Sequence, residues 1–371
     1  ASAKDNETPT TLELAERAGL STGVVTTTRV THATPAACYA HSPERDWEDD
    51  STVPAEQGKA GASDIARQLI EFPHGDGLEV VLGGGRSNFV PELTNDPETD
   101  IPAGRRKDQR NLIEEWKKKP DSTYVWNKEQ FLAVDVTKTK HLLGLFEPSH
   151  MKYEYDRKSD RSGEPNLTDM TVKAIELLAK NDKGYFLMVE GGRIDHAHHE
   201  GNAFRALTDT VEFARAVAAA RDKTSRNDTL IIVTADHSHV FTMCGYPSRG
   251  NPILGKVTDC EATGDQKGKL ALDLRGMPFT TLGYANGPGC VTGAPRPDLA
   301  SIDTGGPDYH QEATIPMTAE THGGEDVPLY ADGPQAHLFH GVLEQHVIFH
   351  VMAEAMGLAE LSEAPRKTEP K

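Results

Sequence analysis

The stretch YFLMVEGGRIDHAHHEG, residues 185–201, runs from a mostly apolar segment through two glycines into one aspartate and three histidines. A short apolar run that ends in glycine predicts a buried β-strand. Glu190 closes that strand, and Arg193, Ile194 and Asp195 follow. His199 lies four residues past Asp195. If the chain turns helical there, the two side chains share a face. One carboxylate and one imidazole on a face make two-thirds of a catalytic zinc site. A polar loop with incidental histidines is the plainer reading of an isolated Asp-x-x-x-His.

Similar runs occur elsewhere: GVVTTTRV (23–30), LEVVLGGG (78–85), TLIIVTADH (229–237) and a weaker DVPLYADG (326–333). Amphipathic helical patterns cover 10–19, 63–72, 110–119, 167–181, 203–220 and 343–357. Alternating strands and helices predict a three-layer α/β/α sandwich around a mainly parallel sheet. Ligands in such sheets gather beyond the carboxyl ends of the strands. Residues 241–319 break the rhythm: they are rich in Gly and Pro without a clear helix, and predict an insertion set into an α/β core formed by 1–240 and 320–371.

Composition bounds the partners. Lys and Arg total 39 against 57 Asp and Glu, a formal net charge of −18. This surface disfavours nucleic acid and anionic membranes, and suits solubility in a salty environment. An anionic substrate would be repelled at long range, so its site would need metal ions or Arg. No run of about 18 apolar residues predicts a membrane span, and ASAKDNETPT at the start does not read as a signal peptide. Cys38, Cys244, Cys260 and Cys290 fit no Cys-x-x-Cys metal pattern. A disulfide among the last three and free thiols both fit the sequence.

Three further segments carry chemistry. TLIIVTADHSH (229–239) delivers Asp236 and His237 straight after an apolar strand, with His239 placed to orient them. Ionised Asp is costly to bury unpaired, so metal binding and helix capping both remain open. AETHGGEDV (319–327) supplies His322 before two glycines, a weak signal by itself. VTTTRVTHATPAACYAHSPERDW (25–47) places His32 and Thr34 at a strand end, Pro35 at a helix start, and Arg45 beyond. The Thr34 hydroxyl suits either a helix cap or Mg²⁺, a hard ion that takes oxygen ligands. The Arg45 fork suits two phosphate oxygens, or an ion pair with Glu44 or Asp46.

Together and in this order, HATPAACYAH with ERDW, LGGGR, VEGGRIDHAHH, TADHSHV, ETHGGEDV and GPQAHLFHGVLEQ resemble alkaline phosphatases, nearest to the animal-type branch shared by some marine bacteria. The resemblance runs from about residue 10 to about 358. It implies phosphate monoester hydrolysis through a phosphoserine at two zinc ions and one magnesium ion. Carried over by motif, Asp195, His199 and His322 would hold the first zinc, and Asp236 and His237 would help hold the second. Thr34 and Glu190 would bind magnesium, with His32 in the outer shell. Arg45 would clamp the substrate or product phosphate, with His196 near it. A fourth, calcium-like site is implied by Glu98 in NDPETD and by Phe146 (through its carbonyl) and Glu147 in GLFEPSHMKYE, with Glu164 a looser match. The 241–319 segment resembles the family's crown subdomain, which implies a homodimer. Periplasmic or extracellular placement is implied too.

The chain departs from the family in one respect. The Asp-Ser-Ala context of the nucleophile occurs nowhere in it, nor does the early strand with the Asp that bridges the second zinc and the magnesium. The expectation is a C-terminal three-quarters of a longer protein, inactive or nearly so alone. A phosphodiesterase, sulfatase or phosphomutase of the same superfamily is the nearest alternative. A non-catalytic metal-binding module is the alternative from another class.

Overall fold

A computed structural model describes residues 8–260, 268–293 and 295–358. Twelve strands lie among the described residues: β1 (Ser21–Arg29), β2 (Val80–Gly84), β3 (Ser122–Val125), β4 (His141–Leu145), β5 (Tyr185–Glu190), β6 (Ile231–Val233), β7 (Ser238–His239), β8 (Phe241–Met243), β9 (Leu282–Gly287), β10 (Ala313–Pro316), β11 (His322–Gly323) and β12 (Tyr330–Asp332). The α-helices are α1 (Thr11–Ala18), α2 (Ala33–Tyr39), α3 (Ala55–Lys59), α4 (Ile65–Ile70), α5 (Leu112–Trp116), α6 (Lys128–Leu132), α7 (Leu167–Leu178), α8 (Arg193–His199), α9 (Ala203–Lys223) and α10 (Val347–Ala355).

The central sheet has five parallel strands in the order β3-β4-β2-β1-β5. Period-two alternation divides its side chains between two cores. Val24, Val81, Leu143 and Leu145 point to one side, against Leu12 of α1, Tyr39 of α2, Leu69 of α4 and Trp116 of α5. Val25, Val80, Leu82 and Leu142 point to the other, against Phe131 of α6, Met170 and Ala174 of α7 and Ala216 of α9. Helices therefore cover both faces, as the alternation of strand and helix patterns predicts. Helix starts follow local chemistry: Thr10 closes a capping box with Glu13, and Asp64, Asn166 and Asn202 each accept a backbone N–H of the first turn.

The structure corrects several local readings. TLIIVTADH does not join the parallel sheet; β6 pairs antiparallel with β12 alone. Strands β3 and β4 are two of the sheet's five strands but were not read from the sequence. Helix α2 begins at Ala33, so Thr34 lies inside its first turn instead of capping it, and Pro35 is tolerated there because a first-turn N–H has no helical acceptor. Within 241–319 a small mixed sheet, β10-β9-β8, forms, and no α-helix is found among the described residues. All four cysteines are free thiols. No described helix is long and apolar enough to cross a membrane.

Candidate metal centre

The site collects at the carboxyl ends of β5 and β6, where a parallel sheet leaves strand ends open. Strand β5 delivers Glu190 and two glycines, and α8 follows at once, so Asp195 and His199 fall on one face of a single helical turn. Asp195 Oδ1 lies 3.0 Å from His239 Nε2, 3.4 Å from His199 Nε2, 3.4 Å from His322 Nε2 and 3.9 Å from His237 Nε2. That oxygen is buried and makes no well-aligned hydrogen bond. Asp195, His237, His239 and His322 each present a ligand atom within 4.8 Å of the others.

The tautomers explain why the lone pairs converge. His199 Nδ1 is 2.7 Å from the Glu320 carbonyl, and His237 Nδ1 is 3.2 Å from the Ser238 carbonyl. A carbonyl only accepts, so each Nδ1 carries the proton and each Nε2 keeps a free lone pair. This is the outer-shell arrangement that orients metal-binding imidazoles. His239 differs. Burial opposes a charge on it, but Asp195 on one side and Glu320 on the other push it up to about 9. It is thus an imidazolium clasp between two carboxylates. Burial works against the ionised Asp195 carboxylate, but His239 and His199 hold its pKa well below the usual range. His237 and His322 stack with ring centroids 3.5 Å apart. Asp236 is exposed, with Oδ2 3.3 Å from His237 Nε2.

Glu190 forms a second cluster. Its Oε2 accepts from the Thr26 hydroxyl at 2.5 Å and the Thr28 hydroxyl at 3.2 Å, and the Thr34 hydroxyl bonds the same carboxylate. Burial raises the Glu190 pKa despite those three donors. The Asp236 charge raises it as well, which ties this cluster to the first.

Beside it lies a histidine cluster that the sequence reading covered only in part. His32, His150 and His196 each offer a nitrogen within 4.8 Å of the others. His150 and His196 pack with centroids 4.4 Å apart. Burial and the Arg193 guanidinium push His196 down to about 3, and burial with Arg29 and Arg45 lowers His32. Arg45 reaches His32 Nε2 at 3.3 Å, and makes no ion pair with Glu44 or Asp46. Arg29, which contacts His150, is fixed by a two-pronged pair with Glu48 at 2.7 and 2.6 Å.

A separate oxygen-only cluster joins Glu98, Glu147 and Asp160. Asp160 was not read from the sequence. Glu164, expected there, adjoins the cluster: burial, Glu147 and Asp160 push it up to about 9. Its Oε2 and Asp160 Oδ1 are buried without partners. Phe146 packs its ring edge-on against Phe131, 5.7 Å away.

The alkaline phosphatase family model matches residues 1–358. The chain belongs to the alkaline phosphatase family. It is 46% identical over 361 residues to the tissue-nonspecific alkaline phosphatase of Gallus gallus, covering 95% of this chain and 66% of the relative. It is 45% identical over 359 residues to the alkaline phosphatase of Gadus morhua, covering 94% of this chain and 72% of the relative. Among solved structures, a mutant TAB5 alkaline phosphatase with Mg bound shares the fold at a TM-score of 0.59 and 22% identity, over 94% of this chain and 75% of that one. The chain thus spans just under two thirds of the chicken alkaline phosphatase's length.

Proposed function

We propose that this chain carries the metal-binding and phosphate-binding part of a phosphate monoesterase. The observation that supports it most is the convergence of imidazole Nε2 atoms on Asp195 Oδ1, with His199 and His237 each committing Nδ1 to a carbonyl. Asp195, His199 and His322 are assigned to one zinc ion, and Asp236 and His237 to a second. Glu190 and Thr34 are assigned to magnesium with His32 behind them, because a hydroxyl and a carboxylate suit a hard ion. Such ions, when bound, supply positive charge that stabilises attacking and leaving oxygens in an in-line displacement.

The chain's own groups orient the phosphoryl group. Arg45 presents a planar fork that can hold two phosphate oxygens. His196 and His32, kept neutral by burial and by neighbouring arginines, present hydrogen-bonding nitrogens without adding charge. His239 fixes the Asp195 carboxylate. The phosphoserine intermediate of this scheme takes a serine hydroxyl that is not among the residues gathered here. Glu98, Glu147, Asp160 and Glu164, with the Phe146 carbonyl, make a calcium site of hard oxygen donors. Residues 241–319 form the inserted crown of a homodimer, and the protein works in the periplasm or outside the cell.

Turnover of a phosphate monoester, a phosphate diester and a sulfate ester by this chain joined to the family segment that carries the serine, with zinc and magnesium supplied, tests the assignment. The expected result is preference for the monoester, lost together with bound zinc in Asp195→Asn. Equal turnover of the diester or the sulfate would sink it.

A further inference from the structure

His150 comes from the loop beyond the carboxyl end of β4, on the same rim of the sheet as the metal centre. The loop is tied down by the Gly85 N–H on the Ser149 carbonyl at 2.7 Å and by the Met151 N–H on the Thr27 carbonyl at 3.1 Å. Arg29 closes β1 and faces it. Its guanidinium is anchored from behind, with Nε and Nη2 on the two oxygens of Glu48. Thr31 and Asn88 donate to the same carboxylate, so the fork is held in place. Nη1 is left for the site, 2.6 Å from His150 Nε2 and 3.3 Å from Ser149 Oγ. His150 is thereby caught between two donors of one residue, because the Arg29 backbone N–H points at its Nδ1 from 3.2 Å. An imidazole has at most one lone pair. In either tautomer one ring N–H faces an N–H of Arg29, and charging the ring turns both contacts against it. The backbone N–H is fixed in the strand end, so the lone pair belongs at Nδ1. The Nε2–H of His150 and the Nη1–H of Arg29 then point into the same space.

We infer that Arg29, His150 and Ser149 form a second anion subsite beside the phosphate position, selecting phosphate monoesters whose alcohol part carries a further oxyanion a short spacer away. The inference rests on the monoesterase reading, which puts the phosphoryl group at Arg45 and His196. Chemistry supplies the first reason: two converging N–H donors are reconciled by an oxygen that accepts from both. A water oxygen does this, and an anionic one does it more strongly, because one donor is a guanidinium. Placement supplies the second. The rings of His150 and His196 lie 4.4 Å apart between centroids, so a short spacer bridges the two positions. Access supplies the third, since Ser149 is exposed at the rim and Arg29 is only partly covered. Local charge supplies the fourth. Glu48 offsets Arg29 in part, but Arg45 stands 3.3 Å from His32 and Arg193 stands 2.7 Å from His196, which keeps this corner attractive to anions in a chain of net charge −18. A neutral leaving group gains nothing from these donors.

The test compares two phosphonates that cannot be hydrolysed, phosphonopropionate and propylphosphonate, which differ in whether the tail ends in a carboxylate. Each is titrated by calorimetry into the 371-residue chain loaded with zinc and magnesium. Phosphonopropionate is expected to bind about tenfold tighter, the gain of one hydrogen bond to a charged group. In His150→Leu, with circular dichroism matching wild type, the ratio should fall to near one. His150→Gln keeps an N–H donor and should retain most of the preference. A measurement on the unsubstituted chain stands beside these variants: in histidine-labelled protein, the His150 ring nitrogen resonance should move with phosphonopropionate and stay in place with propylphosphonate. Equal binding of the two phosphonates overturns the subsite and leaves the monoesterase reading intact. A preference that survives His150→Leu also overturns it, because the carboxylate is then gripping a metal ion or another arginine. If neither phosphonate binds the metal-loaded chain, the subsite and the monoesterase reading fall together.

Discussion

His239 Nε2 lies 3.0 Å from Asp195 Oδ1, while its Nδ1 lies 2.8 Å from Glu320 Oε2. Glu320 is almost fully buried and also accepts the Val240 N–H. One glutamate thus fixes a ring that fixes a ligand, and its backbone carbonyl fixes His199 too. Outer-shell partners of this kind contribute roughly 10–100-fold in metal affinity. Glu320→Gln keeps the shape and removes the charge. Zinc affinity, measured by competition with a chelating dye, should fall by about that factor, with the circular dichroism spectrum unchanged. Wild-type affinity in the variant would remove His239 and Glu320 from the positioning of Asp195.

Gly192 leads into α8 with no room for a side chain. A Cβ there would sit 2.4 Å from Thr28 Cγ2 and 2.9 Å from Glu190 Oε2. Both neighbours are side-chain ends, so Gly192→Ala is relieved by swinging Glu190 away from its threonine donors. The expected outcome is loss of the thermal stabilisation that magnesium gives the wild type, with the melting temperature in EDTA nearly unchanged. A magnesium-induced shift equal to wild type would contradict the assignment of Glu190.

Glu16 is buried next to β1, where the Thr22 hydroxyl donates to it at 2.5 Å. Burial pushes its pKa up to about 8, against an ordinary 4.5, and neighbouring Glu79 rises to about 7. Between pH 4.5 and 8 the folded chain holds a proton that the unfolded chain has released. The folded state binds more protons there, so this group's contribution to stability falls as pH rises through that window. Glu16→Gln should melt close to wild type at pH 5 and several degrees above it at pH 8.5. Thermal unfolding at the two pH values measures the difference.

Arg106 is completely buried and pairs with Asp64 at 2.9 Å and Asp108 at 2.6 Å. Removing one partner of a buried pair leaves an uncompensated charge and costs about 3–5 kcal/mol. Arg106→Met should lower stability by that amount in urea unfolding. The capping contact of the Asp64 side chain with the Arg67 N–H of α4 should persist, so helix content before the transition should match wild type.

What could be read from the sequence depended on how local the signal was. Strands β1, β2 and β5 were legible because β-branched or apolar runs end in Gly, Thr or Glu. Strand β4 was not, because His141–Leu145 is short and interrupted by Gly144, where a Cβ would meet Leu82 Cδ2 at 2.7 Å. That glycine is required by strand packing, which no local pattern reports. Asp195 with His199 was legible from helical spacing, and Asp236 with His237 from adjacency. His150, Glu320 and Asp160 were not: each reaches its cluster from a loop or a strand end distant in sequence, and only the folded chain reveals the neighbour. His239 was read as an orienting residue for Asp236 and His237, and it proved instead to clasp Asp195.

Strand β7 pairs with β11 through two residues, with His239 opposite His322. Everything between them, including β8, β9 and β10, leaves and returns through that single rung. The excursion is a closed leash with both ends knotted at the metal centre. Its outer loops can drift in length and sequence so long as the rung, Glu320 and Tyr284 hold, whereas prying the leash from the body would draw His322 away from His239 and open the ring of imidazoles around Asp195.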